Sequence, residues 1–208
     1  MKALLINGSP HKEGCTFTAL NELKQTLEKN GIEAEICHIG TKPVSGCIAC
    51  MRCQETGQCV FGDKVNELSA RLDEFDAIVL GSPVYYGGPS GQLCSFCDRF
   101  FFSNSGKMAG KLAAAVVSCR RGGATSSFDR LNKYFMMTNM QVVGSQYWNM
   151  VHGFTPDDVK KDKEGLQTMR TLGQNMAWLL KCIELGSKNG INRPEYEQTI
   201  FTSFPDGK

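Results

Sequence analysis

Short apolar runs alternate five times with apolar stripes at helical spacing, and this alternation narrows the possible folds more than any other feature of the chain. The runs are Ala3 to Ile6, Ala34 to Ile39, Ala77 to Leu80, Ala113 to Val117 and Gln141 to Val143. The stripes are Phe17, Leu20, Leu23 and Leu27, then Val65, Leu68 and Leu72, then Leu93, Phe96, Cys97 and Phe100, then Phe128, Leu131 and Phe135. The longest runs from Leu166 through Met169, Leu172, Met176 and Leu179 to Ile183. A run too short to be a helix, followed each time by an amphipathic helix, predicts a parallel sheet covered on both faces, an α/β three-layer sandwich. At 208 residues, 41% of them hydrophobic, the chain can bury one sizeable core. One domain is expected over 1–187, followed by a tail, 188–208, without periodicity.

The net charge of +2 is spread without a block of one sign, so neither nucleic acid nor an anionic membrane surface is an expected partner. Met1 and Lys2 precede only Ala3 to Ile6 before a Gly-Ser-Pro break, too short for an export signal or a membrane span. The expected compartment is the cytoplasm, where cysteines serve metal binding or catalysis more often than disulfides.

One connection is overlong. Residues 40–63, between the second strand and the second helix, number roughly two dozen where α/β loops need about two to six. They contain CIACMRCQETGQC, with Cys47, Cys50, Cys53 and Cys59. Three thiols at three-residue intervals can wrap one side of a cubane and a fourth can close it, whereas zinc prefers two separated knuckles. On spacing alone, a reduced cysteine-rich lid stands as the alternative to a cluster. Of the other cysteines, Cys37, Cys94, Cys97 and Cys182 read as small hydrophobes, while Cys15 at a helix N-terminus reads as a thiol of lowered pKa.

Three strand ends carry chemistry. The first runs through NGSPHKEGCT, Asn7 to Thr16, into a helix, which suits a phosphate on free backbone N–H groups or, more plainly, a capped turn. The pattern is neither GxGxxG nor GK[ST], which favours a mononucleotide over a dinucleotide or ATP. The third strand ends in GSPVYYGGPSGQL, where Tyr85 or Tyr86 could stack on a flat ring or simply pack in a core or interface. Ligands of open α/β sheets bind where the strand order switches, so a phosphate at the first loop and a ring at the third point to FMN. The fourth ends in SCRRGGA, where Arg120 or Arg121 could sit beside the pyrimidine edge of a flavin or remain solvated. The segment SQYWNMVHG, Ser145 to Gly153, lies beside the substrate side, in a dimer contact, or in plain loop packing. The charged run Asp157 to Glu164 reads as a solvated helix start.

From LLINGSPHKEGCT through SPVYYGGPSGQLCSFCDRF and SCRRGGAT to SQYWNMVHG, the chain resembles the flavodoxin-like NAD(P)H-dependent FMN reductases, and among them the iron-sulfur flavoproteins. The resemblance implies a five-stranded parallel sheet of order 2-1-3-4-5. It implies FMN phosphate contacts from Ser9, His11, Gly14, Cys15 and Thr16, and ring contacts from Pro83, Val84, Tyr85, Tyr86 and Gly87. Further contacts are implied from Cys119, Arg120, Gly122 and Gly123. The chain departs from the usual pattern at His11, where Arg is frequent, and at Cys15, where Asn or Ser is usual. The resemblance also implies a [4Fe-4S] cluster on Cys47, Cys50, Cys53 and Cys59, and a homodimer or higher homo-oligomer.

The expected function is an FMN-dependent oxidoreductase that takes electrons from NAD(P)H or a ferredoxin-like carrier. It would pass them to a small-molecule acceptor of quinone, nitro, azo or flavin type, the flavin itself carrying the chemistry. The rival is a non-enzymatic iron-sulfur/flavin electron carrier. Flavodoxin-type carriers tend to be strongly acidic, and the mild positive charge counts against it.

Overall fold

The computed structural model describes residues 1–200, 202 and 204. Its elements in chain order are β1 (Lys2–Asn7), α1 (Cys15–Lys29), β2 (Glu33–His38), α2 (Arg52–Thr56), α3 (Lys64–Ala70), β3 (Ala77–Tyr85) and β4 (Gly88–Pro89). Then come α4 (Gly91–Ser103), α5 (Ser105–Met108), β5 (Leu112–Cys119), α6 (Ala124–Met137), β6 (Gln141–Val142), β7 (Met150–His152), α7 (Pro156–Lys161) and α8 (Lys163–Lys188).

The sheet runs β2-β1-β3-β5-β6 with every pairing along that path parallel. This is the expected 2-1-3-4-5 order with two changes that raise the strand count to seven. The two-residue β4 folds back antiparallel on the end of β3, through Val84 against Pro89 and Tyr85 against Gly88. The fifth strand is broken: β6 pairs with Leu112 and Ala113, and β7 rejoins the same edge opposite Val117 to Cys119. The chain between them bows outward, which a run of apolar residues ending at Val143 could not reveal.

Alternation along each strand sends Leu4, Ile6, Ile78 and Leu80 to one face and Ala3, Leu5, Ala77 and Val79 to the other. The first face is covered by α3, α4 and α6 through Leu68, Phe96, Phe100, Leu131 and Phe135. The second is covered by α1 and α8 through Leu20, Leu23, Leu27, Met169, Leu172 and Met176. Each of these side chains is essentially solvent-free, and burial contributes about 1.5–3 kcal/mol apiece. The Asp157 to Glu164 run begins with a capping box, in which the Thr155 hydroxyl and the Asp158 carboxylate each accept from the other's backbone N–H.

Beyond α8 the tail has no regular structure and is exposed through residue 200, touching the domain where Arg193 donates to the Ala109 carbonyl at 3.3 Å. The remainder of the expected tail, 201, 203 and 205–208, lies outside the described residues. Among the described residues no helix is long and apolar enough to cross a membrane.

Candidate functional site

The loops that leave the C-terminal ends of β1, β3, β5 and β7 are fastened to one another. The Gly8 N–H donates to the Gly81 carbonyl at 2.8 Å, and the Ser90 hydroxyl donates to the Gly8 carbonyl at 2.7 Å. A Cβ at Gly8 would lie 2.7 Å from Leu93, so this approach of loop to helix needs glycine. The hydroxyls of Thr16 and Ser118 share a hydrogen bond at 2.8 Å, both buried. Cys15 Sγ donates to the Gly153 carbonyl at 3.7 Å, and the Gly153 N–H donates to the Cys119 carbonyl at 3.1 Å.

Within the first loop the fold is already set by side chains. The Ser9 N–H donates to Asn7 Oδ1 at 3.1 Å, the His11 N–H donates to Ser9 Oγ at 3.1 Å, and His38 Nε2 meets the Ser9 carbonyl at 2.7 Å. Gly14 takes the N-cap position of α1 and supplies no side-chain cap, leaving the first-turn amides without a side-chain partner. Such a turn fits a phosphate, which would satisfy those amides and meet the positive end of the helix. His11 is exposed, and the Thr16 hydroxyl is engaged by Ser118, so Thr16 meets the loop through its backbone. The expectation of a lowered pKa at Cys15 is corrected: burial pushes its thiol up, outweighing the backbone hydrogen bond that lowers it, and Asp158 adds to the rise.

The third loop is a two-residue hairpin turn in which Tyr86 (φ 52°) and Gly87 (φ 75°) both adopt left-handed conformations. An aromatic residue there is strained. Its ring gains nothing from the protein itself, since Tyr86 is fully exposed and Tyr85 is nearly half exposed. Pro83 and Val84 are half-buried beneath. Gly123, at φ 86°, lies so close under the hairpin that a Cβ would come within 2.8 Å of Gly87 Cα and 2.9 Å of Val84 Cγ1. The Ser126 hydroxyl closes the contact by donating to the Gly87 carbonyl. Arg120, Arg121 and Gly122 are exposed beside it, and among the described residues neither arginine forms an ion pair. Cys119 is buried, its thiol pushed up by burial. The rings of Tyr147 and Trp148, 4.9 Å apart, stand half exposed on the bowed segment between β6 and β7.

The four cysteines of the 40–63 connection line one recess together with Phe61, Arg99 and Phe102. Cys47 and Cys50 are exposed, Cys53 and Cys59 are half-buried, and every cysteine in the chain is a free thiol. Ala49 (φ 53°) and Met51 (φ 59°) are left-handed on either side of Cys50, which curls the chain so that its thiols share one side. Burial raises the Cys53 thiol, and the neighbouring Cys59, Cys47 and Cys50 add to the rise, a mutual influence that only clustered sulfurs exert. Among the described residues no three His, Cys, Asp or Glu side chains converge as one metal ion requires. Four thiols lining one recess are a donor set of the kind an iron-sulfur cluster takes.

Several residues of this region carried no recognised signal in the sequence. Arg99 of α4 is fully buried and donates to both oxygens of Asp63 at 2.7 Å and to Cys59 Sγ at 3.2 Å. Asn66 of α3 holds the Cys59 backbone from both sides, accepting from its N–H at 3.0 Å and donating to its carbonyl at 2.8 Å. Gln92 donates to the Gly40 and Lys42 carbonyls at 3.0 and 2.7 Å. Arg99 could have been noticed as a charge three residues after Phe96 on an otherwise apolar arc of helix.

The chain is similar in sequence and fold to known flavoproteins. An iron-sulfur flavoprotein of Methanocaldococcus jannaschii is 36% identical over 194 residues, covering 88% of this chain and all of that protein. An iron-sulfur flavoprotein of Methanosarcina thermophila is 26% identical over 188 residues, covering 88% of this chain and 97% of the other. Among solved structures, RosB with a bound intermediate superposes with a TM-score of 0.70 at 12% identity, over 99% of this chain and 93% of that one. A WrbA-like flavodoxin from Agrobacterium tumefaciens superposes with a TM-score of 0.61 at 18% identity, over 87% and 98%, and both show the flavodoxin-like fold. The sequence profile of the NADPH-dependent FMN reductases matches residues 1–155. The chain belongs to the NADPH-dependent FMN reductase family, a family of FMN-dependent oxidoreductases.

Proposed function

We propose that this protein binds FMN across the ends of β1, β3 and β5 and uses it to move electrons from NAD(P)H or a ferredoxin-like carrier to a small-molecule acceptor of quinone, nitro, azo or flavin type. The observation that carries this reading is the uncapped first turn of α1 opening beside a strained, solvent-facing tyrosine turn. Bound FMN supplies the two-electron chemistry. The chain's own residues hold and bias it. The amides from Gly14 to Thr16 take the phosphate, with Ser9 and His11 shaping the loop's other side. Pro83 to Gly87 present backbone groups and an aromatic face to the ring. Arg120 or Arg121, without a carboxylate partner among the described residues, offers positive charge to the pyrimidine edge, which favours the reduced, anionic ring.

In the same reading Cys47, Cys50, Cys53 and Cys59 hold a [4Fe-4S] cluster, a reading supported by the relatives' being named iron-sulfur flavoproteins. The ten free thiols suit the reducing cytoplasm. A homodimer or larger homo-oligomer is proposed as the working form, with the exposed rings of Tyr147, Trp148 and Phe154 available to a neighbouring copy at the open strand ends.

The test is anaerobic steady-state oxidation of NADH and of NADPH with quinone, nitro, azo and free-flavin acceptors. Turnover with at least one donor and acceptor pair is expected. Flavin-loaded protein that turns over with no donor and acceptor pair, a reduced ferredoxin included among the donors, contradicts the reading and favours the electron carrier.

A further inference from the structure

Arg99 has no exposed side-chain surface and sits on a helix whose other inward residues are Leu93, Phe96, Cys97, Phe100 and Phe101. A guanidinium in such surroundings is strongly unfavourable unless its charge is paired and its donors are satisfied. Both conditions are met, and every partner belongs to the cysteine connection. Asp63 takes Nη1 and Nη2 in a two-pronged pair, Nη1 also donates to the Ser45 carbonyl at 3.2 Å, and Nη2 to the Phe61 carbonyl at 3.4 Å. The guanidinium carbon lies 4.8 Å from the centre of the Phe61 ring. Nε points its hydrogen at Cys59 Sγ.

Ser45 stands two residues before the first cysteine, and Phe61 and Asp63 follow the last, so one rigid planar group pins both ends of the quartet to α4. Gln92, two helical turns earlier on the same face, pins the chain further upstream at Gly40 and Lys42. Asn66 fixes the Cys59 backbone from α3. Cys59 is therefore held at backbone and sulfur alike, while Cys47 and Cys50 are exposed.

We propose that Arg99 is the positioning residue of the cysteine connection. It keeps residues 40–63 folded before iron arrives, and it directs one N–H to Cys59, making that sulfur the preset anchor and withdrawing charge from it once a cluster is held. Hydrogen bonds to ligand sulfurs raise the reduction potential of an iron-sulfur centre. The first part is independent of the cluster; the second rests on the reading of the quartet given above.

The first part is tested on the full-length, FMN-loaded protein after removal of iron by chelation, by following tryptic cleavage after Arg52. Arg99→Leu and Asp63→Asn are expected to be cut roughly tenfold faster or more than the parent, with Arg99→Lys between, while FMN is retained. Equal cleavage of the parent and Asp63→Asn, with FMN retained in both, overturns it, and this arm decides even where Arg99→Leu fails to fold. The second part is read as the reduction potential of the reconstituted centre, expected to fall in Arg99→Lys. A potential equal to the parent's overturns that part. A parent protein that takes up no iron sinks the second part together with the cluster reading, and the proteolysis comparison still decides the first.

Discussion

Thr16 Oγ1 and Ser118 Oγ lie 2.8 Å apart with both side chains buried, so the first turn of α1 and the end of β5 are joined by a hydrogen bond that solvent does not reach. The pair links the loop that would hold a phosphate to the loop that would flank a ring. Removing one hydroxyl strands the other. Thr16→Val or Ser118→Ala should each lower stability by about 1–3 kcal/mol in urea unfolding, and the double variant by clearly less than the sum. Additive losses would contradict the pairing. Ser9→Ala combined with Thr16→Ala removes the two side-chain bonds that shape the first loop, Ser9 Oγ to the His11 N–H and Thr16 Oγ1 to Ser118, and should weaken FMN binding; unchanged affinity would show that the loop's amides do not depend on those bonds.

Gly123 has no room for a side chain, with Gly87 Cα 2.8 Å from where its Cβ would stand and φ at 86°. Gly123→Ala should push the tyrosine hairpin away from the β5 loop at a cost of about 1–3 kcal/mol. If the two loops share one ligand, FMN affinity falls roughly tenfold to a hundredfold in a fluorescence titration. Normal FMN affinity in a destabilised variant would separate the hairpin from the binding site.

Tyr86 is strained at φ 52° and fully exposed. Tyr86→Gly should leave the flavin-free protein as stable as the parent or more so, by up to about 1 kcal/mol, while weakening FMN binding. Thermal unfolding without flavin and a flavin titration read the two effects separately. Unchanged FMN binding would free Tyr86 from the ring.

How far these relationships could be read from sequence depended on whether they were local. The buried runs Ala3 to Ile6 and Ala113 to Val117, and the stripe from Leu166 to Ile183, announced their elements because period and burial coincide in them. The Tyr86–Gly87 turn was hidden because tyrosine is an unusual occupant of a left-handed position, and with it the two residues of β4 went unseen. The break between β6 and β7 was hidden because only the pairing with β5 defines it. The cysteine spacing was plain, but its clamp was not: Arg99 and Asp63 are thirty-six residues apart, and nothing local marks them as partners. Cys15 was misjudged because helix position was visible and burial was not.

At the opposite end of the sheet, Arg71 holds Glu35 through two hydrogen bonds at 2.9 and 2.7 Å. That pairing chiefly, against a smaller upward push from burial and with help from Lys2, lowers the Glu35 carboxyl to about 2. A depressed folded-state value means the stabilisation is present above the unfolded-state value of about 4.3 and is lost as pH falls from there through about 2. Glu35→Gln should therefore be less stable than the parent near neutrality, with the gap narrowing in urea unfolding at about pH 3. A gap that does not change with pH would contradict this assignment.

One chain is proposed to carry both FMN at its strand ends and a cluster on its cysteine connection. This is tested most directly by an absorption spectrum of anaerobically purified protein, with iron, acid-labile sulfide and FMN each quantified. Roughly four irons and four sulfides per flavin are expected, the iron and sulfide lost together when Cys47, Cys50, Cys53 and Cys59 are replaced by serine and the flavin retained. A plain flavin spectrum without iron after strictly anaerobic handling, or iron that survives the serine replacements, would contradict it.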